Sequence, residues 1–157
     1  MYRCLLVFIY LHCGHVAAAS PSIEAARLLE LHNTSRQSGL ACGWFIERKA
    51  PKLEWSDDLA WAAEQQVRAM AAKQHLNHKA GGSTRKRLHR VGYHWRRYAE
   101  NIAFGYNSPE AVFDGWKRSK PHCQNILDPD QTEIGVAHYQ GYWSVILAQP
   151  QFRKTAN

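Results

Sequence analysis

Two apolar runs near the C-terminal end, EIGVAHY (Glu133 to Tyr139) and YWSVILA (Tyr142 to Ala148), decide the fold class. Their β-branched and aromatic content, broken by Gln140-Gly141, predicts a β-hairpin. YAENIAFG, from Tyr98, reads as a further extended segment. Most of what precedes these strands is patterned for helix. Ser20-Pro21 predicts a first helix with Pro at its first position, running through Leu31 and Asn33 and stopping near Gly39. Residues 40–54 read as irregular, because Gly43 and Pro51 break the periodicity. Ser56 caps a second helix, with Asp57 and Asp58 in its first turn and Leu59, Ala63, Val67 and Met70 on its inner face. HLNHKAGGS is a loop, and Ser83 opens a short basic helix ending at Gly92. Ser108-Pro109 opens another, with Val112, Phe113 and Trp116 buried. Pro121 and Asn125 flank a tight connection. The order helix, helix, short helix, strand, helix, strand, strand predicts an α+β fold with helices covering an antiparallel sheet.

The first 19 residues stand apart from this pattern. Arg3, the apolar run Leu5 to Leu11 and Ala17-Ala18-Ala19 have the basic start, apolar middle and small-residue ending of a secretory signal peptide. An uncleaved anchor and lipidation at Cys13 are the rival readings. Cleavage after Ala19 leaves residues 20–157 as a single domain, about 138 residues, enough for one core. It also removes Cys4 and Cys13, so that Cys42 and Cys123 remain. In an oxidising compartment, secreted or periplasmic, the pair forms a disulfide; the alternative is two buried thiols.

The chain carries 20 Lys and Arg against 13 Asp and Glu. Lys79, Arg85, Lys86, Arg87, Arg90, Arg96 and Arg97 cluster in one segment. A solvated face accounts for such a run, and so does an anionic partner. For an exported chain that partner is a lipid or cell-envelope component, with no nucleic acid expected. Polar residues set in apolar sequence are the candidates for chemistry: His78, Glu100, Ser119 and His122. Ser119 also fits a cap on the turn at Lys120-Pro121. Asn101 and Asn125 are expected to bond to backbone in tight turns. Trp55, Trp61, Trp116 and Trp143 are expected in the core or on a cavity wall. His32, His89, His94 and His138 read as surface or satisfied structural histidines; His75, three residues from His78, is ambiguous, with a spare ligand the lesser of its readings.

Taken in order, several short motifs resemble one family. They are Asn33 and Arg36, Leu53-Glu54-Trp55, Leu59-Ala60-Trp61-Ala62-Ala63, His78 and Arg87, Val91-Gly92-Tyr93, and Glu100-Asn101-Ile102-Ala103. Trp116-x-x-Ser119-x-x-His122, Asn125-Ile126-Leu127, Glu133-Ile134-Gly135-Val136 and Tyr142-Trp143 continue the series. The set is similar to the CAP superfamily (cysteine-rich secretory protein, antigen 5 and pathogenesis-related-1, or SCP, domain), in its short secreted bacterial branch. The resemblance implies an α-β-α sandwich, its antiparallel sheet covered by helices on both faces. It also implies a cavity lined by two histidines and acids, able to take a divalent metal, often zinc. Residue by residue, the histidines fall on His78 and His122 and the first acid on Glu100. The second acid of many eukaryotic members is replaced here by Ser119, a poorer ligand and base.

Zinc accepts imidazole nitrogen and carboxylate oxygen, and an open site has three protein ligands and a water. His78, His122 and Glu100 supply that number, unless Glu100 stands behind a histidine and orients it. The expected function is a secreted, non-enzymatic binding module, its metal weak or facultative. The alternative is a metal-dependent, protease-like hydrolase using His78, Glu100 and His122. Against it, the sequence has no H-E-x-x-H helix and no G-x-S-x-G elbow around Ser119.

Overall fold

The computed structural model describes residues 20–40, 42 and 49–151. The expected signal peptide, 1–19, and residues 41 and 43–48 of the irregular 40–54 segment lie outside the described residues. Helix α1 (Ile23–Ser38) begins slightly later than the sequence predicts: Ser22 is its N-cap, its Oγ accepting from Ala25 N, and Gly39 ends it. Pro21 therefore precedes the helix instead of opening it. Strand β1 (Glu54–Trp55), only two residues long, is not among the predicted elements. Helix α2 (Asp57–Lys73) is capped by Ser56 and buries Leu59, Ala63, Val67 and Met70, as its spacing requires. Helix α3 (Thr84–Arg90) follows its Ser83 cap. Strand β2 (Trp95–Phe104) starts three residues ahead of Tyr98. Helix α4 (Pro109–Arg118) is capped by Ser108. The predicted tight connection at Pro121 is instead a helix, α5 (Lys120–Leu127), whose second residue is the proline, where a missing N–H costs nothing. Strands β3 (Glu133–Tyr139) and β4 (Tyr142–Pro150) form the predicted hairpin. Gln140 and Gly141 both have positive φ, as a two-residue turn demands.

The sheet has the order β1-β3-β4-β2. The long pairs β3–β4 and β4–β2 are antiparallel, and the two-residue β1 joins β3 in parallel. Side chains of β4 alternate between two cores. Trp143, Val145 and Leu147 face α1, α4 and α5, in a core with Leu28, Phe113, Trp116 and Ile126. Tyr142, Ile146 and Ala148 face α2 and α3, with Leu59, Val67, Met70 and Leu88. The result is an α-β-α sandwich, with apolar side chains on both faces of the sheet.

Close approach on the α2 side depends on Gly135. A Cβ there would lie 2.1 Å from Ala60 N and 2.2 Å from the Leu59 carbonyl carbon, so only glycine lets α2 rest on β3. On the other side the join is polar. The amide of Asn33 donates to Leu53 O (3.0 Å) and accepts from Leu53 N (2.7 Å), like a strand partner. Fully buried Arg36 donates to the carbonyls of Pro51, Ile126, Asp128 and Gln131, tying α1 to the end of α5. Burial lowers its guanidinium to about 10, with Asp128 opposing. Cys42 and Cys123 form a disulfide, their Cα atoms 5.6 Å apart. No described helix is long and apolar enough to cross a membrane.

Candidate functional site

The 75–83 loop is held from below by polar side chains. Gln66 of α2 donates to Asn77 O (2.5 Å) and accepts from Gly81 N (3.0 Å). Lys73 Nζ donates to Ala80 O (2.8 Å). Asn77 Oδ1 accepts from Lys79 N (2.8 Å), closing the tight turn that carries His78. The loop lies so close to α2 that a Cβ at Gly81 would stand 2.9 Å from Gln65 O.

His78 projects from this loop with 55% of its side chain exposed, and its Nδ1 meets Glu100 Oε1 at 2.8 Å. Glu100 points to the α2–α3 side because it shares a face of β2 with Ile102, a residue of that core. Its other oxygen, Oε2, accepts from fully buried Arg87. Arg87 also donates to Ala62 O (3.0 Å), to Gly82 O, to Thr84 Oγ1 (3.2 Å) and to His78 O (3.4 Å). One guanidinium thus joins α2, the loop, α3 and β2. Burial pulls Arg87 below its ordinary range and Glu100 opposes this. With Glu100 accepting, the proton of a neutral His78 sits on Nδ1 and leaves the Nε2 lone pair free.

His122 arrives from the other side of the sheet, in the first turn of α5. Asn101, next to Glu100 but on the opposite face of β2, donates to His122 O (3.1 Å). Asn125 donates to Asn101 Oδ1 (2.8 Å). Asn101 therefore does bond to backbone, from a strand rather than the turn predicted for it. β2 is the edge of the sheet, and His78 and His122 stand near enough for their charges to interact. Burial lowers the His122 pKa, and the nearby charge of His78 lowers it further. Both effects favour a neutral imidazole. Ser119 occupies the N-cap position of α5, yet its hydroxyl makes no capping hydrogen bond. Among the described residues no group of three His, Cys, Asp or Glu side chains is arranged to hold a metal. Both Glu100 oxygens are engaged, so it stands behind His78, and the donors left are the imidazoles of His78 and His122. That set does not fit a three-ligand zinc centre.

Several expectations fall differently. Trp116 and Trp143 are buried and Trp55 is partly so, but Trp61 is 42% exposed, because it lies off the buried stripe of α2. His32 is fully buried with Nε2 unpartnered, so it is not a satisfied histidine. His75 is exposed and takes no part in the contacts around Glu100. A cleft of about 570 Å³ opens elsewhere, lined by Glu54, Trp55, Asp57, Asp58, Tyr93 and Glu133 among others. None of the four predicted site residues lines it. Its wall is internally bonded: Tyr93 Oη donates to Glu133 Oε2 and Trp55 Nε1 to Asp57 Oδ1, both at 2.8 Å. Chemistry favours the His78 group over this cleft, because at His78 a buried ion pair holds an exposed imidazole in place. Sequence reasoning misses Gln66 as a contributor. A lone glutamine among apolar helix residues, at a position of the buried stripe, is the available signal.

The family model described as "Cysteine-rich secretory protein family", CAP, matches residues 29–147. The chain is 29% identical over 126 residues to YkwD of Bacillus subtilis, covering 79% of this chain and 46% of that protein. It is 30% identical over 121 residues to the membrane protein YlbC of the same organism, covering 75% and 32%. The chain thus spans less than half the length of these curated relatives. Among solved structures, an extracellular SCP-domain protein of Bacillus anthracis has a TM-score of 0.70 at 23% identity, covering 80% of this chain and 40% of that one. An outer surface protein of Borrelia burgdorferi gives 0.67 at 17% identity, covering 80% and 92%. At these identities the likeness is one of fold.

Proposed function

The chain belongs to the cysteine-rich secretory protein (CAP) family, and from that premise we propose that it is an exported, non-enzymatic binding module. Its ligand site is the opening where His78 and His122 approach each other, and its ligand is a lipid or an anionic cell-envelope component. The extracellular character of the Bacillus anthracis relative and the leader-like residues 1–19 support export. A divalent ion such as zinc is a facultative partner: Nε2 of His78 and the His122 ring would hold it, with water completing the shell. When bound, it would supply a Lewis-acidic charge at the opening.

The observation that carries this reading is the double engagement of Glu100, by Arg87 on Oε2 and by His78 on Oε1. A carboxylate held between a buried guanidinium and an imidazole orients the imidazole. It is poorly placed to take a proton from an attacking water as well. Ser119 does not replace it, since its hydroxyl is hydrogen-bonded to neither imidazole. Calorimetric titration with zinc should give a weak isotherm that disappears in His78→Ala/His122→Ala. Lipid vesicles and envelope fragments should be retained at low salt. Turnover of a peptide or ester panel that is lost in His122→Ala would replace this reading with the hydrolase.

A further inference from the structure

No Asp or Glu lies between Glu64 and Glu100. The fold gathers much of this one-signed stretch onto α3 and its flanks. The inward face of α3 is fixed by Thr84, Arg87 and Leu88, all buried, with Arg87 spent on Glu100 and on carbonyls. Its outward positions are Arg85, Lys86, His89 and Arg90, all exposed, as are Lys79 ahead of it and Arg96 beyond it. Elsewhere several cations are paired: Arg27 with Glu30 and Glu110, Arg68 with Glu64, Arg97 with Asp128 and Asp130, Lys117 with Asp114, while Lys49, Lys52 and Arg118 are exposed, scattered and without an ion pair among the described residues. Lys79, Arg85, Lys86, Arg90 and Arg96 form no ion pair among the described residues.

This arrangement is electrostatically unfavourable for the chain on its own. Arg85 and Lys86 sit in the first turn of α3, at the positive end of the helix, with no acid beside them. Lys86 and Arg90 are like charges four apart on the helix and repel each other. The charge of Arg90 also reaches buried Arg87 and lowers it. Folding gains nothing from this strip, whereas a polyanion would.

We infer that the exposed cations of α3, with Lys79 and Arg96, form a docking strip for a linear polyol-phosphate polymer such as poly(glycerol phosphate). The inference rests on the reading of the chain as a cell-envelope binding module, and it adds to the histidine opening a second, separate surface with its own ligand class. Arginine predominates, and its planar fork matches phosphate oxygens. A bilayer fits less well. The outward face of α3 carries no Leu, Ile, Phe or Trp, and exposed Leu76 in the preceding loop is one apolar side chain, too little to anchor on lipid. Single-stranded nucleic acid fits less well too, since it needs rings to stack on. Trp95 is half-buried and meets Tyr98 edge-on at 5.6 Å.

The test uses the chain with its Cys42–Cys123 disulfide intact and poly(glycerol phosphate) as the probe. Affinity should fall linearly, on a logarithmic scale, between about 50 and 200 mM salt. Arg85→Gln/Lys86→Gln/Arg90→Gln should weaken binding by at least about tenfold and flatten the salt slope by roughly 2. The same variant should melt at the same temperature or higher, because like-charge repulsion is relieved. A matched loss of three paired cations, Arg27→Gln/Arg68→Gln/Lys117→Gln, should leave affinity within about twofold. Equal loss in both triple variants would mean attraction to net charge alone and would overturn the strip. So would tighter binding to anionic vesicles or to single-stranded DNA than to the polymer. His78→Ala/His122→Ala should keep the polymer while losing zinc. If it loses the polymer instead, the polymer sits at the histidines and the strip is wrong, although the binding-module reading stands.

Discussion

His32 sits in the core with its ring edge against Phe113, 4.9 Å between centroids, and Nδ1 on Leu28 O at 2.7 Å. Nε2 is left as a bare lone pair in apolar surroundings. Burial lowers its pKa to about 4, and the neighbouring Arg36 charge acts in the same direction. The unfolded chain therefore binds a proton at this residue below its ordinary value of 6.5, while the folded chain does not until about 4. Stability contributed by neutral His32 is present above pH 6.5 and is lost as pH falls toward 4, by about 3 kcal/mol in all. Urea unfolding across that range should show the slope, and His32→Phe should remove it. At Arg87 the energetics are those of a buried pair. Arg87→Met should cost about 3–5 kcal/mol in urea unfolding, because Glu100 is left buried without its cation. Adding Glu100→Gln to that variant should recover part of the loss. Glu100→Gln alone should weaken zinc binding by roughly 10- to 100-fold, since it frees the His78 ring. Nitrogen NMR of His78 would register the same change as a shift away from the Nδ1–H tautomer.

At the scale of elements, two glycines separate global from local stability. In Gly135→Ala the new methyl meets backbone atoms of α2 that cannot move aside. Helix and strand must part, at a cost of about 3 kcal/mol that chemical denaturation would measure. In Gly81→Ala the new methyl would stand 2.9 Å from Gln65 O and 3.3 Å from Gln66 Oε1, at the edge of a loop that can lift away. The expected result is little change in global stability but faster amide exchange at Lys79 and Ala80, the residues flanking the His78 turn. The longer elements are legible in the sequence, because their periodicity repeats enough times to be read. α2 and the β3–β4 hairpin are predicted nearly to the residue. β1 is not, since two residues carry no period and pair only because Thr132 O and Ile134 O lie ready for Glu54 N and Ser56 N. α5 escapes the sequence reading because Pro121 reads there as a breaker, when at the second position of a helix it is a starter.

For the whole molecule, the disulfide closes 81 residues of chain and fastens Cys42, beyond α1, to Cys123, the neighbour of His122. Its removal in Cys42→Ala/Cys123→Ala should cost about 4.5 kcal/mol on the chain-entropy account, read as a lower melting temperature. Zinc binding should weaken along with it, as the first turn of α5 loosens. By itself the sequence determined the α+β class, the long helices and the hairpin, because hydrophobic period is a local property. Its ordered motifs also picked out His78, Glu100 and His122. Only the tertiary structure decided how those residues are used. Adjacent residues of a strand point to opposite faces, so Glu100 and Asn101 serve different sides of the sheet. The edge position of β2 lets a loop from one side and a helix from the other converge. Which partner takes each oxygen of Glu100 depends on Arg87, 13 residues away in sequence and brought to it by the packing of α3. No local pattern encodes that contact, because it exists only once two layers have met.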